Sequence, residues 1–204
     1  MQVLIGAGLL LIVLGLFTLF SYKAPHGMKA MGALAGAACA SFLVEAFHSS
    51  FFGNVLNIEF LKKVGDANGS LGGVAAAILV PLALGVSPVY SVLIGLSCSG
   101  LGILPGFIAG YLMSFVVKFL EEKLPSGLDL IVIIVVATPL TRIIGDFTAP
   151  VVDSTLLKIG QVLIASANSN PITMGIILGG IITVVATAPL SSMALTAMLG
   201  LTGA

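Results

Sequence analysis

The chain has 204 residues and no formal net charge, with eight Lys and Arg against eight Asp and Glu; 58% of its residues are hydrophobic and only 8% are charged. A soluble domain carries roughly a quarter charged residues, so this composition excludes an ordinary water-soluble globule, and the lack of a basic patch argues against a nucleic-acid partner. Cys39 and Cys98 lie inside apolar runs without CxxC spacing, which argues against a disulfide or metal pair.

Residues 3–20 hold no charge and, at about eighteen residues, reach the lower limit for a spanning helix. No basic stretch precedes this run and no small-x-small cleavage pattern follows it, so it reads as a membrane helix rather than a signal peptide. Residues 21–29 form a loop with Lys23, His26 and Lys29, broken by Pro25 and Gly27. Positive loops stay cytoplasmic, which places the N-terminus outside. Residues 30–47 are the second helix, where Gly32 and Gly36 share a face on which another backbone is expected to come close. Glu45, near its end, is either a headgroup-region carboxylate or one turned into a cavity to bind solute hydroxyls or carry a proton.

Residues 48–70 are mixed. The stretch "NVLNIEFLKKV" predicts an amphipathic helix at the membrane surface, and "GDANGS" predicts a turn. Its Asn68-Gly69-Ser70 matches a glycosylation sequon, which matters only on a lumenal loop. Three apolar runs follow. Residues 71–85 contain Pro81 and break at "GVSPV"; residues 90–103 break at "LPG"; residues 107–119 end in Lys118, Glu121, Glu122 and Lys123 at water. Gly102, Gly106 and Gly110 fall on one side, which must press against another helix. Short hydrophobic segments interrupted by Gly and Pro predict discontinuous or re-entrant helices.

In the second half, "VVATPL" at residues 135–140 returns as "VVATAPL" at residues 184–190. Each proline removes a backbone donor and disturbs the preceding turn. Thr138 and Thr187 are placed to cover the freed carbonyls. The two stops are either helix ends at the interface or breaks around a wet cavity, the only place where hydrocarbon tolerates open backbone. Arg142 and Asp146, four apart, meet on one face if helical. They are either a surface ion pair or an intramembrane functional pair. Residues 154–167 predict a helix with a modest polar face. Asn168 and Asn170 in "NSNP" either hold solute hydroxyls or cap helices. Residues 172–186 predict a further helix, and Ser191 and Ser192 follow the second stop. The chain ends on Leu-Thr-Gly-Ala without interfacial anchors, so it is expected to be part of a longer protein or to finish in a hairpin that dips without crossing.

The expected fold is all-α: a polytopic integral membrane protein with interrupted and re-entrant helices, forming one domain over residues 1–204. Candidate substrate-binding residues are Glu45, Thr138, Arg142, Asp146, Asn168, Asn170, Thr187, Ser191 and Ser192. No catalytic group, metal or cofactor is expected.

The run "LPGFIAGYLMSFVVKFLEEKLPSGLDLIVIIVVATPLTR" resembles the membrane (IIC) subunits of the bacterial phosphoenolpyruvate-dependent sugar phosphotransferase system, in the fructose/mannitol superfamily. "NGSLGGVAA", "GVSPV", "LLKIG" and "PITMGIILGGIITVVATAPLSSMALTAMLGLTG" point to a IIC-like branch, and the last is the most specific. The resemblance implies an α-helical sugar permease in the bacterial inner membrane that works as a homodimer with separate IIA and IIB phosphotransferase partners. It also implies that this chain is an N-terminal portion. The "GITEP"-like element whose glutamate binds sugar in sugar-type members is not found, nor is a IIA histidine domain or a IIB phosphocysteine loop. Two alternatives stay open: a membrane sensor that kept the permease fold, and an ion-coupled carrier using Glu45 or Asp146.

Overall fold

A chain this apolar, in a solvent without hydrogen bonds, must satisfy its amides within each segment, and helices do so locally. The structure, a computed structural model, describes residues 2–152 together with Ile172, Gly175 and Ile176. Among the described residues every element is helical: α1 (Gln2–Lys23), α2 (Gly27–Val55), α3 (Glu59–Gly69), α4 (Gly72–Leu84), α5 (Pro88–Ser97), α6 (Ile103–Lys123) and α7 (Leu128–Val152). Helices α2, α6 and α7 are long and apolar enough to cross a membrane, and α3 with α4 forms a bent pair, kinked by 52°, that passes the same test. Helix α5, at ten residues, is too short.

The centre of the molecule is the parallel pair α4 and α6. A Cβ added to Gly106 would collide with the Gly73 backbone, and one on Gly110 would stand 2.8 Å from Ala77 Cα. The glycines therefore let the two backbones touch, as their four-residue spacing predicts. On one side of this pair Met31, Leu34 and Ala37 of α2 pack on Ala76, Val80 and Phe107; on the other, Ile94 of α5 and Ile133 and Ala137 of α7 pack on Ala77, Ala109 and Met113. Helix α1 leans on the first cluster through Phe20, which meets Phe107 and Tyr111 edge-on at 5.5 and 5.1 Å. Tyr111 Oη donates to Pro25 O at 2.8 Å and ties the α1–α2 turn to α6.

Several sequence expectations shift. Helix α2 does not end near Phe47. It runs on to Val55, with π-helical turns over Cys39–Leu43 and Ala46–Val55. Gly32 has open space around it, and Gly36 meets only the Leu79 side chain at 3.6 Å, so neither makes a close backbone contact; Ala30, Leu34 and Ala37 face the core instead. "GDANG" is not a turn but the end of α3, because Gly65 and Gly69 dock on Ser49 and Glu45 of α2 and helical backbone brings them there. The expected stop at "GVSPV" is present: Gly85 takes φ 91°, and Val86 N and Gly85 N donate to Pro81 O and Leu82 O, which closes α4 in a Schellman turn. The break expected at "LPG" lies earlier, at Cys98–Gly102, and Pro105 sits in the first turn of α6, where its missing donor costs nothing.

The largest correction concerns Pro139. Helix α7 does not stop there but continues to Val152. The preceding turn, Ile133–Ala137, widens to π geometry, and Thr138 N donates to Ile133 O, five residues back. Thr138 Oγ1 then covers Ile134 O. The proline is absorbed rather than obeyed. The second stop, with Thr187, and the helix expected over 154–167 lie outside the described residues, as does the one expected over 172–186 apart from Ile172, Gly175 and Ile176, which are helical.

Candidate functional site

Helices α5 and α6 form a hairpin with both feet at the end of the molecule that carries the α1–α2 turn. Its tip, Cys98–Gly102, stands beside Gly73 at the start of α4, and a Cβ on Gly73 would press on the carbonyls of Leu101 and Gly102. Two interruptions thus meet, the α3–α4 bend and the α5–α6 tip. Local bonds close most of the tip: Cys98 N donates to Gly95 O at 2.9 Å, Ser99 N to Leu96 O at 3.2 Å, and Leu101 N to Cys98 O at 3.1 Å. Gly100 takes φ 78°, a conformation that only glycine enters without cost.

The Ser99 carbonyl of the tip is reached from α7. Arg142 Nη1 donates to Ser99 O at 2.6 Å, while its Nε lies 2.9 and 3.0 Å from the Asp146 carboxylate oxygens. A guanidinium suits this double role because its donors are fixed in a fork. One turn on, Gly145 receives the Leu101 side chain, which a Cβ there would push aside. Arg142 and Asp146 are 45% and 54% exposed, so their ion pair alone stabilises little. Its importance here is geometric, since it aims the guanidinium at the tip.

A second polar cluster lies between α2 and α3. Glu45, half-buried, packs on Gly69, and Ser49 Oγ donates to Asp66 Oδ1 at 2.5 Å. Beyond it, Gly53, Asn54, Asn57, Glu59 and Lys62 line an open hollow of ≈ 290 Å³ at the α2–α3 turn. At the feet of the hairpin, Glu121 Oε1 accepts from Ser87 N at 3.3 Å and Tyr90 Oη donates to Asp129 Oδ2 at 2.6 Å.

Of the sequence candidates, the structure brings Arg142 and Asp146 together at the tip. It places Glu45 apart from them, against α3, and Thr138 in the widened turn of α7, where its hydroxyl is committed to its own helix. Asn168, Asn170, Thr187, Ser191 and Ser192 lie outside the described residues. The tip itself was missed. "CSGLG", with glycines at 100 and 102, carried the signal, and "LPG" drew attention away from it. The pairs Ser49–Asp66 and Tyr90–Asp129 join residues far apart in sequence, which spacing cannot reveal. Hydroxyls elsewhere in the helices, such as Ser41, Ser91, Ser114 and Thr141, donate to the carbonyl four residues back. They are therefore satisfied without a ligand. Among the described residues no group of three His, Cys, Asp or Glu stands close enough to hold a metal ion.

The arrangement offers exposed hydrogen-bond donors and acceptors around a broken hairpin on an apolar helical body, which suits contact with a polar solute. Comparison with known proteins points the same way. The family described as "Phosphotransferase system, EIIC" matches residues 28–204. Neither the curated proteins nor the solved structures give a match. With the matched segment covering α2 through α7 and the chain beyond, the protein belongs to the EIIC family of the phosphotransferase system, as a membrane permease component of that system.

Proposed function

We propose that this chain moves a sugar or a closely related polar solute across the bacterial inner membrane, as a homodimer, and hands it to separate IIA and IIB phosphotransferase proteins. The observation that carries this reading is the interrupted α5–α6 hairpin, set against the α3–α4 bend within the segment matched by the family. The solute lies near the tip, where the Ser99 and Gly100 backbone, Arg142 and Asp146 present donors and acceptors suited to hydroxyl groups. Glu45 and Thr138, and Asn168, Asn170, Thr187, Ser191 and Ser192 outside the described residues, remain candidates for the rest of the path. Phosphoryl chemistry belongs to the partners, and this chain contributes binding, passage and exclusion of the bilayer.

The test is uptake of labelled solutes into vesicles carrying the protein, with and without phosphoenolpyruvate and the soluble phosphotransferase proteins. Saturable uptake of at least one hexose, pentose or polyol is expected, with the product recovered phosphorylated when the partners are present. No saturable uptake of any of these, or of related sugar acids, would overturn the reading.

A further inference from the structure

We propose that Arg142 is the latch of the α5–α6 hairpin: a positioning residue that pins the Ser99 carbonyl and keeps the tip folded over Cys98. This rests on the reading that the tip borders the solute path. The other tip bonds are local and would travel with the hairpin, whereas Arg142 reaches it from α7. Helix α7 grips the tip twice within one turn, by Arg142 on Ser99 O and by Gly145 on the Leu101 side chain. An uncovered carbonyl at membrane depth is costly, so the guanidinium supplies a donor that lipid cannot. Burial alternates sharply through the turn: Ser99 and Gly100 are exposed, while Cys98 and Leu101 are 0% and 8% exposed. Asp146 fixes the fork from the other side. Releasing the latch therefore uncovers Cys98, and Cys98 is a reporter already present in the chain.

The experiment measures N-ethylmaleimide labelling of the protein in vesicles, with Cys98 and Cys39 resolved by peptide mass spectrometry and no solute added. Arg142→Gln should speed labelling of Cys98 roughly tenfold, the scale of losing one charge-assisted hydrogen bond, and leave Cys39 unchanged. Arg142→Lys should restore part of the protection, because an ammonium still donates to the carbonyl but cannot fork to Asp146. Asp146→Asn should give a smaller rise. An unchanged Cys98 rate in Arg142→Gln, or an equal rise at both cysteines, overturns the latch. Should Arg142→Gln fail to fold, Asp146→Asn decides, and no rise at Cys98 overturns it. The two readings separate cleanly: a Cys98 rate that rises in Arg142→Gln, with no uptake by the native sequence, defeats the permease alone, and uptake by the native sequence with a Cys98 rate unchanged in Arg142→Gln defeats the latch alone.

Discussion

At the scale of single residues, glycine separates by what it touches. Gly106 faces the backbone of Gly73, and a Cβ there has nowhere to go, because backbone cannot swing aside as a flexible side chain can. Gly32 faces open space. Gly106→Ala should therefore destabilise the protein by about 1–3 kcal/mol. Gly32→Ala should be neutral or stabilising by up to about 1 kcal/mol, from the gain in helix propensity. Reversible unfolding in mixed micelles checks both, and equal losses would show that the α4–α6 contact is looser than its geometry. The four-residue glycine rhythm was legible in the sequence for α6, yet the same rhythm in α2 marks no close backbone contact. Spacing identifies a face, but only tertiary packing decides what covers it.

At the scale of elements, α7 shows how a helix passes a proline. The widened turn moves Thr138 N back to Ile133 O, which leaves Ile134 O to the Thr138 hydroxyl. The two residues should therefore be coupled. Thr138→Val should cost about 1 kcal/mol in the native sequence. In Pro139→Ala, where the turn can tighten and the backbone donor can return to Ile134 O, the cost should be smaller. A double-mutant cycle reads this difference, and strict additivity would refute the account. The sequence showed that Thr and Pro act together here, but not that the helix would continue, because propensity describes the proline and not the burial of Ile133 and Ala137 in the core. Similarly, α3 absorbed an apparent turn because glycines that look like breakers in isolation are contact points against α2.

At the scale of the whole molecule, the all-α membrane class followed from composition, and the hairpin followed in kind though not in place. The α1–α2 turn, the α4–α5 turn and the α6–α7 connection share one end, which carries Lys23, Lys29, Lys118 and Lys123; the α2–α3 turn, with Glu59, Lys62 and Lys63, lies at the other. By the positive-inside rule, the lysine-rich first end is the one expected in the cytoplasm. In intact cells a membrane-impermeant maleimide should modify Asn57→Cys and spare Lys23→Cys and Glu122→Cys until the membrane is opened; labelling of all three from outside would contradict this arrangement. Helix α2 joins the two ends, and its wide π turns set how its far half faces. Deleting one residue within Ala46–Val55 would rotate everything beyond it by about 100°. Ser49 and Gly53 would then swing off the ridge on which α3 rides, and α3 would have to follow or detach. The length of this stretch thus acts as a phase setting for the outer half of the protein, and a single-codon deletion there should be felt more severely than most substitutions.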